Sequence, residues 1–200
     1  AAGGLVGEVV QIWKPKQLNT FETEWGFSCM GYEISGALGI KMAKPDQEVI
    51  TFIGDGSYLL NNSDIYSSIL YNKKLIIIIC DNGGHMVINR LQLAKGGKEY
   101  LCNLKKSRAT RVEFVDFESH AKSMGANAET VTSISDLESA FKRAKNSDKT
   151  YVISIKTDGY QWLEGTAFWE SPTLEVPSSE ENKKAYEEHL TGKDKQRKGV

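Results

Sequence analysis

Two short segments hold residue types suited to cation and phosphate chemistry. Ile53-Gly54-Asp55-Gly56-Ser57 closes one apolar run, and Asp81-Asn82-Gly83-Gly84 follows another, Leu75 to Cys80. Asp55 is an acceptor-only group between two glycines, which permit tight turns and close approach of a ligand. Asn82 lies 27 positions after Asp55, the length of one helix plus one strand. In a βαβ unit that separation puts both side chains side by side at one sheet edge. A carboxylate, an amide oxygen and an adjacent backbone carbonyl make three hard oxygen ligands. Mg²⁺ prefers six, usually completed by phosphates and water, so the set suits a metal–diphosphate better than a bare ion. Backbone N–H groups at Gly56 and Ser57 can face phosphate oxygens, with a helix starting at Asn62 or Ser63. Gly-Asp-Gly alone is equally a β-turn with an acidic tip. The second segment is what makes it a site. No P-loop pattern is present, and Gly31, Ser35 and Gly39 do not form a dinucleotide fingerprint.

The elements that must position these residues read as alternating strands and helices. Four apolar runs look like buried parallel strands: the approach to Trp25-Gly26-Phe27, then Val49 to Ile53, Leu75 to Cys80, and Tyr151 to Ile155, with a weaker strand at Ala128 to Val131. From Met30 to Ala43, Met30, Ile34 and Leu38 form one helical stripe, and Gly31, Ser35 and Gly39 a small-residue stripe that invites close packing. Asp116 can cap a helix bearing Phe117, Ala121 and Met124 and stopped by Gly125. Ser135 with Glu138 reads as a capping box ahead of Leu137, Ala140, Phe141 and Ala144. The expected fold is an α/β domain, a doubly wound parallel sheet flanked by helices, which binds ligands at the carboxyl ends of its strands. We divide the chain into a lead-in (1–20), the domain proper (21–176) and a charged C-terminal segment (177–200) that frays from Lys193.

Composition narrows the partners. With 200 residues and a net charge of −1, the chain suits one domain and offers no bulk charge for nucleic acid or anionic membrane. It has no apolar run long enough for a membrane span, and Ala1-Ala2-Gly3-Gly4 is not a signal-peptide start. Three widely spaced cysteines, Cys29, Cys80 and Cys102, match neither a disulfide framework nor a zinc pattern, which points to a reducing, cytoplasmic compartment. Cys80 reads as core.

Gly-Asp-Gly followed some two dozen residues later by Asn resembles the signature of thiamine-diphosphate (ThDP) enzymes, over about Trp25 to Ile155. The resemblance implies ThDP and Mg²⁺ as cofactors. Asp55, Asn82 and the Gly84 carbonyl would hold the metal, and Gly54, Gly56 and Ser57 the diphosphate. Phe27-Ser28-Cys29-Met30-Gly31 sits where related decarboxylases keep a Gly-x-Met-Gly-like turn. By that resemblance Met30 wedges between the two cofactor rings, and its N–H and the Ser28 carbonyl hold the pyrimidine. Met30 as the first core residue of its helix is the plainer alternative.

A narrower resemblance is to the trihydroxycyclohexane-1,2-dione hydrolases of inositol breakdown. It is carried by Glu24 to Glu33, the two glycine loops, Ile88-Asn89, Leu91-Gln92, and Asp158-Gly159-Tyr160 with Trp162. His85-Met86-Val87 and the stretch from Gln92 to Val115 depart from that pattern. His85 is either a hydrogen-bond or proton partner of substrate or a polar loop residue. His120 and His189 read as structural, Asp81 as loop support, and Lys73-Lys74 and Lys105-Lys106 as solvated turns. Trp162 and Trp169 either close over the cofactor or pack under a C-terminal loop. The activating glutamate of such enzymes belongs to a separate pyrimidine-binding domain and has no counterpart here. The chain is therefore expected to be half a site, the C-terminal part of a longer, homo-oligomeric enzyme, inactive alone and acting on a cyclic dione or a 2-oxo acid. The rival enzyme readings are an acetolactate-synthase-like carboligase or oxo-acid decarboxylase. The non-enzyme reading is a ThDP-binding module.

Overall fold

The computed structural model describes residues 1–163 and 173–196. Its centre is a four-stranded parallel sheet in the order β1-β2-β4-β3, built from β1 (Ile50–Gly54), β2 (Ile76–Asp81), β3 (Asn127–Val131) and β4 (Tyr151–Lys156). The β-branched run Ile76 to Ile79 is buried throughout, as expected of an inner strand covered on both faces. One face packs on Ile34, Leu38, Tyr58, Ile65, Phe117 and Ala121, contributed by α2 (Tyr32–Ala43), α3 (Asp55–Leu60), α4 (Asp64–Leu70) and α6 (Phe117–Ser123). The other face packs Ile76, Val131 and Ile153 on Ala140 and Ala144 of α7 (Ile134–Asn146). Helices on both faces make this the expected doubly wound arrangement. Three more helices, α1 (Gly4–Ile12), α5 (Met86–Ala94) and α8 (Glu180–Asp194), and a single 3₁₀ turn at Leu104–Lys106 complete the described elements.

Several sequence expectations are corrected. Trp25 to Phe27 is no strand but an exposed loop, with Phe27 at 91% exposure. The Glu24 carboxylate accepts the Phe27 and Cys29 N–H groups at 2.8 Å each, which folds the chain back on itself and spends those two donors locally. The first helix of the domain proper starts at Tyr32, not Met30. Its small stripe is only half used. A Cβ on Gly31 would sit 2.6 Å from Asn61 Cβ, and Ser35 Oγ accepts from Asn61 Nδ2, but nothing approaches Gly39 within 4 Å. The cap of α7 is Ser133, which accepts the Asp136 N–H, rather than Ser135 with Glu138. The frayed segment is helical as far as Asp194, and α8 is tied to the body by Asn182 donating to the Lys95 carbonyl. Asp116 caps α6 as expected.

A buried hydroxyl pair pins the start of β2. Thr150 Oγ1 lies 2.6 Å from Ser68 Oγ and accepts the Leu75 N–H at 3.1 Å, with Thr150 only 1% exposed. Thr150→Val keeps the shape but leaves that N–H without an acceptor. It is expected to cost about 1–3 kcal/mol, read as a lowered urea midpoint with an unchanged slope.

Candidate cofactor site

The sheet register builds the site. Gly54 pairs with Cys80 across β1 and β2, so Asp55 and Asp81 emerge one step beyond, on adjacent strands at the same edge. Asp55 opens α3 directly, earlier than the helix start expected at Asn62 or Ser63; Ser63 instead leads into α4. Asp55 is 4% exposed, and its two oxygens accept the Gly84 N–H at 2.8 Å and the Asn82 N–H at 3.4 Å. Burial, and next the neighbouring Asp81 charge, raise its pKa despite those bonds.

Asn82 completes the arrangement. The terminal atom of its amide that faces inward lies 2.7 Å from the Gly84 carbonyl oxygen and 3.2 Å from Asp55 Oδ1. As a nitrogen it donates to both. As an oxygen, the orientation of the structure, it stands beside theirs as a third acceptor. Neighbouring ligands of an octahedral Mg²⁺, each at about 2.0–2.1 Å, stand about 2.9 Å apart, so the spacing fits the ion. Among the described residues no three His, Cys, Asp or Glu side chains gather to hold a metal. A hard cation at this edge would draw on the amide and the carbonyl beside Asp55.

The loop around these acceptors is braced. Asp81 turns away from Asn82: it pairs with Lys156 and accepts the Gly83 N–H at 3.0 Å, the supporting position read from the sequence. Gly84, at φ +146°, makes an antiparallel bridge with Asn103. Flanking it, the His85 N–H donates to the Cys102 carbonyl (2.8 Å) and the Leu104 N–H to the Gly83 carbonyl (3.0 Å). A Cβ on Gly84 would lie 2.1 Å from the Cys102 oxygen.

The remaining expected residues gather beside this centre. Gly54 has open space above it, Ser57 is buried at 3% exposure, and a Cβ on Gly56 would touch the His85 ring at 2.8 Å and Met30 Cε at 3.5 Å. Met30 is 37% exposed and lies ahead of α2, so it is not a core residue of that helix. Ser28 holds φ +53°, an uncommon left-handed conformation for a residue with a side chain. His120 is structural, its Nδ1 2.9 Å from the buried Tyr58 hydroxyl. Burial pushes the Cys80 thiol up to about 11. Trp162 stacks under the Arg90 guanidinium at 4.5 Å and, with Asn82 and Cys80, lines a cavity of about 270 Å³. Trp169 lies outside the described residues. A larger cavity, about 470 Å³ between α1, α2 and β1, is lined by none of the residues at the carboxyl ends of the strands. Size alone does not mark the site.

One group of residues escaped the sequence reading. Glu99 accepts from Asn89 Nδ2 (2.8 Å), from the Tyr160 hydroxyl (2.5 Å) and from Lys106, which hold its carboxyl down to about 2. Lys106 is therefore no solvated turn: it pairs with Glu99 and lies 5.1 Å over the Tyr160 ring. No periodic signal marks these residues, since their partners come from three separate segments.

Residues 1–155 match the family model described as thiamine pyrophosphate enzyme, C-terminal TPP binding domain, and the chain belongs to that family. Its cofactor is thiamine diphosphate. Among curated proteins the chain is similar to the 3D-(3,5/4)-trihydroxycyclohexane-1,2-dione hydrolases of Halalkalibacterium halodurans (37% identical, covering 94% of this chain and 30% of the relative), Bacillus subtilis strain 168 (36%, 94% and 29%) and Listeria monocytogenes serovar 1/2a (39%, 96% and 30%). The chain thus spans less than a third of the length of these relatives. Among solved structures it resembles the thiamine diphosphate-dependent 4-hydroxybenzoylformate decarboxylase of Rhodococcus jostii RHA1, with TM-score 0.55 and 26% identity over 64% of this chain and 23% of that one.

Proposed function

We propose that Asp55, Asn82 and the Gly84 carbonyl hold Mg²⁺, and that the ion and the backbone at Gly54, Gly56 and Ser57 hold the diphosphate of ThDP. The observation that supports this reading is the Asn82 amide end set 2.7 Å from the Gly84 carbonyl oxygen and 3.2 Å from Asp55 Oδ1, distances close to the edge of a Mg²⁺ octahedron. Met30 and the Ser28 carbonyl serve the ring end of the cofactor, which supplies the nucleophile that attacks a substrate carbonyl. The chain's own share is to bind, orient and shield: buried Asp55 fixes the charge, and the Gly84 turn aims the carbonyl.

The parent activity we favour is hydrolytic opening of a cyclic 1,2-dione, because the hydrolase relatives match at 36–39% identity over nearly the whole chain. The decarboxylase structure supports a second reading, cleavage of a 2-oxo acid. In either case the activating glutamate comes from a pyrimidine-binding domain of the same or a partner subunit, in a cytoplasmic homo-oligomer. Among the described residues no helix is long and apolar enough to cross a membrane.

Calorimetry tests the site. The chain should take up ThDP with Mg²⁺ and lose it on adding EDTA. Asp55→Ala should abolish uptake, whereas Met30→Ala should spare most of the diphosphate affinity. Equal losses in both would return Met30 to a packing role. The chain alone, given ThDP, Mg²⁺ and a cyclic dione, should form no product. Turnover would refute the half-site reading.

A further inference from the structure

We infer that Glu99 is a positioning residue for the metal loop, acting through the segment 100–104 that brackets the Gly84 carbonyl; this rests on the ThDP reading above. The chain of contacts is continuous. Glu99 gathers three elements that follow the site in sequence: Asn89 on α5, Lys106 in the turn after the segment, and Tyr160 beyond β4. The Tyr160 hydroxyl, which donates to Glu99, also accepts from Asn103 Nδ2 at 2.7 Å. Asn103 is the residue bridged to Gly84, and its neighbours Cys102 and Leu104 make the two backbone bonds on either side. The carboxylate is thus two side-chain contacts away from the proposed metal ligand.

Packing does not hold that segment in place. Tyr100, Leu101 and Leu104 are 55%, 50% and 36% exposed, and Leu101 sits at φ +58°, a conformation that needs outside support. With so little apolar burial, the order of the bracket depends on its polar anchor. The molecule also contains a comparison group. Glu129 accepts from both Arg143 Nε and Nη2 and from the Tyr151 hydroxyl, the same kind of hub, but one whose bonds join β3, β4 and α7 rather than the metal loop. If Glu99 served fold stability alone, the two carboxylates would behave alike.

The test uses the 200-residue chain with two readouts: hydrogen exchange at the His85 and Leu104 amides, and calorimetric affinity for ThDP in Mg²⁺. Glu99→Ala should lose protection at both amides and weaken binding about 10–100-fold, the range for disturbed support of a metal ligand. Tyr160→Phe, which deletes one hydroxyl and should fold, should shift both readouts in the same direction by less. Glu99→Gln keeps acceptor capacity and should recover part of the affinity. Glu129→Ala should leave affinity unchanged. Unaltered protection and affinity in Glu99→Ala, or equal affinity losses in Glu99→Ala and Glu129→Ala, would overturn the inference. Asp55→Ala separates the two claims. Normal binding by that variant defeats the site itself, whereas its loss beside normal binding by Glu99→Ala defeats only the positioning role.

Discussion

Asp55→Asn should leave the metal-free chain at least as stable as the wild type while removing all stabilisation by ThDP and Mg²⁺. The carboxylate is buried beside Asp81, and both effects raise its pKa. An amide of the same shape carries no charge to desolvate. It can still accept the Gly84 N–H, its nitrogen would face the Asn82 amide oxygen 3.2 Å from Asp55 Oδ1, and only the long 3.4 Å bond from the Asn82 N–H is given up. The proposed metal site, however, loses its one anionic ligand. A ligand at a hundred times its Kd stabilises by about 2.7 kcal/mol, and each kcal/mol moves Tm by about 2–4 °C at this size. The wild type should therefore gain about 5–10 °C from saturating cofactor and the variant none. The pH dependence has a definite sign. A carboxyl with a raised folded-state pKa stabilises the fold fully below its unfolded-state pKa, and that contribution is lost as pH rises through the folded-state value. Without metal, the stability of the wild type relative to the variant should fall over that window. With Mg²⁺ and ThDP it should rise, because the cation binds the ionised form. A variant that melts well below the metal-free wild type would show that the Asp55 charge is already compensated.

Gly84→Ala should be the most damaging single methyl in the chain. At φ +146° any side chain is strained, by about 1–3 kcal/mol. The added Cβ would also lie 2.1 Å from the Cys102 carbonyl oxygen and 3.4 Å from Asn103 Cα. Both neighbours are backbone and are held by the bonds flanking the turn, so relief means pulling the bracket away from the metal loop. Cofactor affinity should drop by at least the roughly 10–100-fold typical of disturbed metal support. Gly56→Ala offers the contrast. There the obstacle is the end of the exposed His85 ring, at 2.8–2.9 Å, which can rotate. Its melting temperature should change little. Thermal scans of both variants with and without ThDP and Mg²⁺ check the pair.

The core strands and their helices were legible because burial on two faces writes long apolar runs. Ile76 to Ile79, and Ala140 with Ala144, could hardly sit elsewhere. The grouping of Asp55 with Asn82 was legible because each directly follows an apolar run, and parallel neighbours end at the same sheet edge, although two helices, α3 and α4, fill the interval read as one. What was not legible depends on contacts remote in sequence. Trp25 to Phe27 looked like a strand by composition, but the nearby Glu24 carboxylate curls the chain by accepting the Phe27 and Cys29 N–H groups. The N-terminal helix α1 carries glycines at 4 and 7, poor helix formers, and packs its Gly7 inside. The C-terminal helix α8 is mostly charged and is placed by Asn182 reaching Lys95. The Glu99 hub draws on residues 10, 7 and 61 positions away, and no local pattern announces such a meeting.

The pairing of Gly54 with Cys80 implies that the 27-residue interval between Asp55 and Asn82 is not itself what the chemistry requires. What counts is that both strands end level. The intervening chain turns over at the exposed Asn72, φ +49°, where an extra residue would loop outward and leave both strand ends where they are. A residue lost inside Ile76 to Cys80 would shift one ligand by about 3.3 Å relative to the other and turn its side chain to the opposite face. Relatives that share this site are free to differ in the length of the excursion. They are not free to differ in the register, so a search for such sites should score strand alignment and let the gap vary.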